Sequence, residues 1–281
     1  MESVRELWAG GSREPLGRLK GRVALVTGAA RRRGMGNVIA GGFAREGAAV
    51  ALADIAPQVS ERARELAEAG HRAEGFVSDL TRADEVAALV SAVTTRLGPI
   101  DILCNVAGKS VPPRPPFLEM TEEYWDMVMD RNLKTAFQCC RAVLPLMAQR
   151  RYGKVVNIGS TTGPVCVYRY SAAYAVSKGA LSAFTRALAL EFGRFDVTVN
   201  VILPGDIDTD DVPWTPEAGR RDIGVLDPHL DPPIARPGRP EEVADLAVFL
   251  ATDESRYITG AEIVIDGGLT VLEAVPALRK L

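Results

Sequence analysis

Short apolar runs alternate with longer stretches of mixed polarity along almost the whole chain. Residues 23–27, 49–53, 75–77, 100–105, 154–158, 197–203 and 261–265 are rich in Val, Ile, Leu and Ala and are predicted as strands. Between them, residues 38–46, 59–68, 83–95, 122–149, 174–192 and 241–251 place apolar side chains at three- and four-residue intervals, the pattern of amphipathic helices. The strand runs are apolar on odd and even positions alike, so both faces of the sheet must be covered. Strands of that kind separated by helices predict an α/β architecture, a single-domain doubly wound parallel sheet of about seven strands with helices on both faces.

The alternation covers residues 21–268, taken as one domain. Residues 1–20 carry no strand signal and are expected as an N-terminal extension, mobile or bound to a partner. Residues 206–240 hold Pro213, Pro216, Pro228, Pro232, Pro233, Pro237 and Pro240 among many aspartates, too broken for a regular crossover, and are expected as a substrate lid. Residues 269–281 form a C-terminal tail that is expected to reach a neighbouring chain.

At 281 residues, with 47% hydrophobic and 25% charged, the chain can bury a sizeable core. Its net charge of −3 offers no cationic field for nucleic acid. There is no apolar run of about 18 residues and no basic-then-apolar leader, so a soluble cytoplasmic protein that avoids membranes is expected. Four cysteines (Cys104, Cys139, Cys140, Cys166) and two histidines (His71, His229) lack metal-ligand spacing, which predicts free thiols and no metal. Cys139 and Cys140 are neighbours on one helix and are expected to serve packing.

Candidate chemistry begins where the first strand runs into Thr27, Gly28, five intervening residues, Gly34, Met35 and Gly36, with a helix following at once. Glycines there let a backbone approach a pyrophosphate, and the free N–H groups of a helix start favour its charge. Asp54 ends the second strand 26 residues beyond Gly28, where a carboxylate can accept both hydroxyls of an adenosine ribose; a helix cap is its structural alternative. Tyr174 and Lys178 lie four positions apart in a helical segment and share one face. An ammonium beside a phenol stabilises the phenolate, so the pair is expected to work as a proton shuttle.

With both signals in place, the chain resembles the main branch of the short-chain dehydrogenase/reductase family over residues 21–268. Further motifs fall in the family's order: Asn105-Val106-Ala107-Gly108, Asn132, Asn157-Ile158-Gly159-Ser160, Pro204-Gly205-Asp206-Ile207-Asp208-Thr209, Gly238 to Ala244, and Asp266-Gly267-Gly268. The resemblance implies a Rossmann-like fold and a nucleotide-binding oxidoreductase that moves a hydride between NAD or NADP and a CH–OH/C=O group. It implies Tyr174 as the acid/base, Ser160 on the substrate oxygen, Lys178 on the nicotinamide ribose and Asn132 holding a water that passes the proton onward. Cofactor contacts are implied for Gly28, Arg33, Gly34, Met35, Gly36, Asp54, Asp79, Leu80, Asn105, Ala107, Gly108, Tyr174, Lys178, Pro204, Gly205, Ile207 and Thr209. A structural role stands beside the cofactor role for Asn105, Gly108 and the Asp266-Gly267-Gly268 turn, and is preferred for Asn157.

Two spacings depart from the family. The glycine loop is two residues longer than usual, as in the enoyl-reductase branch, yet the Tyr174–Lys178 gap is that of carbonyl and alcohol chemistry. Ser160 lies 14 positions before Tyr174, one more than usual, so a reshaped loop is expected, with Thr161 as substitute. Asp54 repels a 2′-phosphate and favours NAD; Arg31–Arg33 could attract one, or lie solvated, or assist the pyrophosphate. The aspartates of the lid suit a polyol or sugar. Lys109, Arg114, Tyr168 and Tyr170 would suit an anionic substrate. Small residues crowd the helix over 172–192, and the family commonly assembles through it, so a homotetramer is expected. Alternatives are an NADPH-dependent 3-oxoacyl-[acyl-carrier-protein] reductase and a non-catalytic dinucleotide-binding regulator.

Overall fold

The computed structural model describes residues 16–112, 114–209, 232–234 and 236–271. Its strands are β1 (Val23–Thr27), β2 (Ala49–Asp54), β3 (Ala73–Val77), β4 (Ile102–Asn105), β5 (Gly153–Ile158), β6 (Val197–Pro204) and β7 (Glu262–Ile265). The helices are α1 (Met35–Arg45), α2 (Val59–Glu68), α3 (Ala83–Arg96), α4 (Glu122–Met129), α5 (Thr135–Arg150), α6 (Ala172–Phe192) and α7 (Pro240–Ala251). The seven strands form one parallel sheet in the order β3-β2-β1-β4-β5-β6-β7.

Alternation along the strands builds two cores. From β1, Ala24 and Val26 face the layer made by Ile39 and Phe43 of α1, Leu66 of α2 and Val243 of α7. Val23 and Leu25 face the opposite layer, with Val93 of α3, Met147 of α5 and Leu188 of α6. Successive strand side chains point to opposite faces, so a strand apolar at every position is what a sheet covered on both sides requires. β1 pairs with β2 on one side and β4 on the other. The chain therefore reverses its winding between β1 and β4, and the crevice outside their carboxyl ends is where a doubly wound sheet takes its ligand.

Three expectations are corrected. The helix expected over 122–149 is interrupted: a π-helical turn, Asp130–Lys134, separates α4 from α5. The Asn132 side chain donates to the Val128 carbonyl one turn back, at 2.9 Å, and so stabilises the widened turn. The N-terminal extension ends earlier than residue 20, because Leu19 is 1% exposed within the α1 core and Arg18 pairs with Glu46 at 2.7 Å. At the other end, Leu269–Val271 forms a helical turn against the body of the domain, tied by Thr270 to Asp266, so the tail begins after it.

Candidate active site

The crevice is floored by close backbone approaches. Thr27 Oγ1 accepts from the Val106 and Ala107 N–H groups at 3.0 and 3.1 Å, which locks the exits of β1 and β4 together. Gly28 follows with φ +67°, and a Cβ there would lie 2.8 Å from Ala107. A Cβ on Gly36, in the first turn of α1, would collide with the Gly28 carbonyl. Only glycine fits either place, so the N-terminus of α1 stays open toward the crevice.

Asp54 closes β2 beside this loop. Its carboxylate accepts from the Ala30 N–H and the Ala56 N–H, both at 3.0 Å, which fixes its orientation. The arginines of the loop turn the other way: Arg31 donates to the Thr209 carbonyl at 3.3 Å and Arg33 lies 3.5 Å from Asp208. The lengthened glycine loop is thus tied to the exit of β6 across the crevice. Around it, Leu80 is buried and Asp79 is held by Thr81, whose hydrogen bonds pull its carboxyl below the usual carboxylate range. Gly205 meets the Ile265 carbonyl, and Ile207 bridges to Gly238. Asn105 turns into the sheet, where its amide donates to Asn157, which in turn donates to Thr185, both at 2.9 Å. For these side chains the bonds made are structural, because all three are buried between β4, β5 and α6.

At the carboxyl end of β5 the chain turns through Ser160, and α6 brings Tyr174 against it. The Ser160 hydroxyl hydrogen-bonds the Tyr174 phenol, and both line a cleft of ≈ 200 Å³ with Ser110, Arg114, Tyr168 and Leu269. The extra residue before Tyr174 is absorbed in a loop in which Gly163 donates to Cys166 at 2.7 Å and Tyr170 takes a left-handed φ of +60°. Ser160 lines the cleft, and Thr161, itself buried, lines it as well.

The expected effect of Lys178 on the phenol is corrected. Lys178 is 3% exposed, and its Nζ donates to the Ile158 carbonyl at 2.9 Å, lying 5.9 Å from the Tyr174 ring centre. Burial raises the phenol above its ordinary value; the Ser160 hydrogen bond and the nearby Arg114 charge oppose this without reversing it. Burial also lowers Lys178 to about 8. The ammonium is thus placed below the phenol and held by a backbone carbonyl. Asn132 donates to the Lys109 and Val128 carbonyls, which leaves its Oδ1 buried and without a hydrogen-bond partner; a Cβ on Gly108 would stand 2.6 Å from that oxygen.

Sequence reasoning did not place Leu269 in the cleft, since it was assigned to the tail, nor Ser110. No periodic or motif signal marks either. The lid's Asp210, Asp211, Trp214, Arg220, Arg221, Asp222, Asp227, His229 and Asp231 lie outside the described residues. Among the described residues, all four cysteines are free and no metal-holding cluster occurs. Cys139 and Cys140 are both in the core, as packing predicts. No helix among the described residues is long and apolar enough to cross a membrane.

Residues 28–270 match the family model described as enoyl-(acyl carrier protein) reductase, of the short-chain dehydrogenase/reductase type. The oxidoreductase UcpA of Escherichia coli K12 is 38% identical over 268 residues, 92% of this chain and 98% of that protein. The cis-4-hydroxycyclohexanecarboxylate dehydrogenase of Sinomonas cyclohexanicum is 35% identical over 251 residues, 89% of this chain and 97% of that protein. The crystal structure of a 3-oxoacyl-[acyl-carrier protein] reductase with bound NAD from Brucella melitensis superposes with a TM-score of 0.79 at 32% identity, over 92% of this chain and 94% of that one. Such agreement of sequence, sheet order and crevice defines an oxidoreductase on a Rossmann-like fold. The chain belongs to the short-chain dehydrogenase/reductase family and is an enzyme of CH–OH and C=O groups that binds a nicotinamide dinucleotide.

Proposed function

We propose that the protein is an NAD-dependent secondary-alcohol dehydrogenase or ketone reductase acting on a small hydroxylated compound, with polyols and sugars within its range. The observation that carries this reading is the Ser160–Tyr174 hydroxyl pair on one cleft wall, with Lys178 buried beneath it. A dinucleotide suits the crevice because Gly28 and Gly36 let the exits of β1 and β4 and the start of α1 pack backbone to backbone, which points the helix N-terminus at the crevice. When bound, its nicotinamide accepts or supplies the hydride.

The substrate oxygen must exchange a proton as its carbon exchanges the hydride. Tyr174 is assigned that proton, giving it to a ketone or taking it from an alcohol, and Ser160 is assigned a hydrogen bond to the same oxygen. The raised phenol stays protonated at neutral pH, which suits ketone reduction; alcohol oxidation is expected to speed up as pH rises. Lys178 is assigned to the nicotinamide ribose, held in place by the Ile158 carbonyl. Asn132 is assigned a water, for which its unpartnered Oδ1 is the acceptor. At the adenosine end, Asp54 faces the ribose and disfavours a 2′-phosphate, since like charges at ~4 Å cost about 1 kcal/mol in water and more when shielded. Cytoplasmic location is proposed with this chemistry. So is a homotetramer, which would cover the groove of Met129, Leu133, Phe137, Ala180 and Phe184 beside α6.

The test is NADH absorbance over a panel of alcohols, sugars and ketones. Tyr174→Phe is expected to lower kcat about 10²–10⁴-fold while NADH still binds; unchanged turnover would overturn the reading. Initial rates are expected to favour NAD over NADP, and Asp54→Ala to narrow that gap. A second reading, reduction of 3-oxoacyl thioesters, is favoured by the likeness to the Brucella melitensis reductase. Faster turnover of an acyl thioester with NADPH than of any free alcohol or ketone would select it.

A further inference from the structure

Among the described residues of the cleft wall, Arg114 is a cation that the proposed reaction leaves unused. Arg114 lies between β4 and α4, half-buried, in the same wall as Ser160 and Tyr174. Its Nε donates to Ser110 Oγ at 2.8 Å, which turns the guanidinium so that its terminal nitrogens carry the remaining donors. No carboxylate among the described residues pairs with it, although other half-buried arginines make ion pairs, as Arg22, Arg33, Arg150 and Arg236 do. Pro112, Pro115 and Pro116 flank it closely in sequence, and each fixes its own φ, so the segment that presents the side chain has little freedom to lose on binding. Asp206 lines the same cleft and makes no ion pair with Arg114.

We propose that Arg114 anchors an oxyanion on the substrate, so that the enzyme's substrates are short hydroxy acids or oxo acids whose reacting carbon lies between a carboxylate at Arg114 and the Ser160–Tyr174 pair. Guanidinium and carboxylate match as a two-pronged, charge-assisted pair, which fixes direction as well as affinity. At ≈ 200 Å³ the cleft is below the ~300–1,000 Å³ that holds a drug-sized ligand, and suits a short acid. The proposal rests on the reading that Ser160 and Tyr174 handle the substrate oxygen, and it narrows the substrate class of that same site.

The experiment compares lactate, 3-hydroxybutyrate and gluconate with their methyl esters, and a sugar phosphate as the other source of an oxyanion, using wild type, Arg114→Gln and Arg114→Lys. Wild type is expected to favour the best acid over its ester about 100-fold in kcat/KM, mostly through KM. Arg114→Gln is expected to lose about 100-fold on the acid and less than threefold on the ester, with NADH affinity unchanged; Arg114→Lys is expected to recover part of the loss. Preference for the phosphate keeps the anchor and replaces the carboxylate by a phosphate. Neutral alcohols turned over without acid preference, or acid and ester falling equally in Arg114→Gln, overturn the anchor and leave the alcohol/ketone reading standing. No turnover of any alcohol or ketone overturns that reading instead. Calorimetric binding of the same acids to wild type and Arg114→Gln then decides the anchor, with equal binding overturning it.

Discussion

The two ends of β5 each bury a lysine, and the environments differ. At the amino end, Lys154 is 2% exposed, and burial lowers its ammonium from the ordinary value. Asp253 opposes that shift, within a cluster where Arg22 stacks on Tyr152 and Tyr152 donates to Asp253 at 3.1 Å. At the carboxyl end, Lys178 has the Ile158 carbonyl and, among the described residues, no carboxylate, and burial takes it down to about 8. A buried charge with a counter-charge is a structural device; one without is costly, and such costs concentrate where chemistry is done.

The largest effect is expected at the carboxyl end. Lys178→Met should lower kcat at least 100-fold, and the wild-type rate of ketone reduction should fall as pH rises through about 8, where the ammonium is lost. A pH–rate profile checks this, and one flat from 7 to 9 would break the comparison. Stability should move in the opposite sense. Between about 8 and the ordinary lysine value of 10.5, the unfolded chain binds a proton that the folded chain does not. Wild type should therefore gain stability relative to Lys178→Met as pH rises across that window, by a few kcal/mol at most. Urea titrations at pH 7.5 and 10 read the difference. At the amino end, Asp253→Asn should cost about 1 kcal/mol by leaving Lys154 and Arg22 without their carboxylate, and it should change kcat less than twofold. Lys154→Met should be smaller still in stability and silent in turnover, measured by thermal unfolding and steady-state rates.

Much of this was legible in the residues. Strands apolar on both faces, such as Val23–Thr27 and Val197–Pro204, can only be central in a covered parallel sheet, so the order of elements followed. Tyr174 and Lys178 announced themselves because helical spacing is local. What spacing does not carry is the direction of a side chain once tertiary partners compete for it. Lys178 was expected on the phenol and instead donates to Ile158, from a strand 20 positions away in sequence. The helix break at Asp130–Lys134 was hidden for the same reason: its residues are ordinary helix formers, and only the widened turn aims Asn132 at Gly108. The contacts of Arg31 with Thr209 and of Arg33 with Asp208, far along the chain, carry no local signal either.

Those arginine contacts bear on traffic. Whatever slips between the glycine loop and the exit of β6 must first part a guanidinium from a carbonyl and an ion pair whose Arg33 side chain is 28% exposed. Dissolved ions weaken that stitch without touching the hydroxyl pair deeper in. Ionic strength should therefore govern how quickly the enzyme loads more than how quickly it reacts, so that brine and dilute buffer differ most in the rate of cofactor association measured at low cofactor concentration.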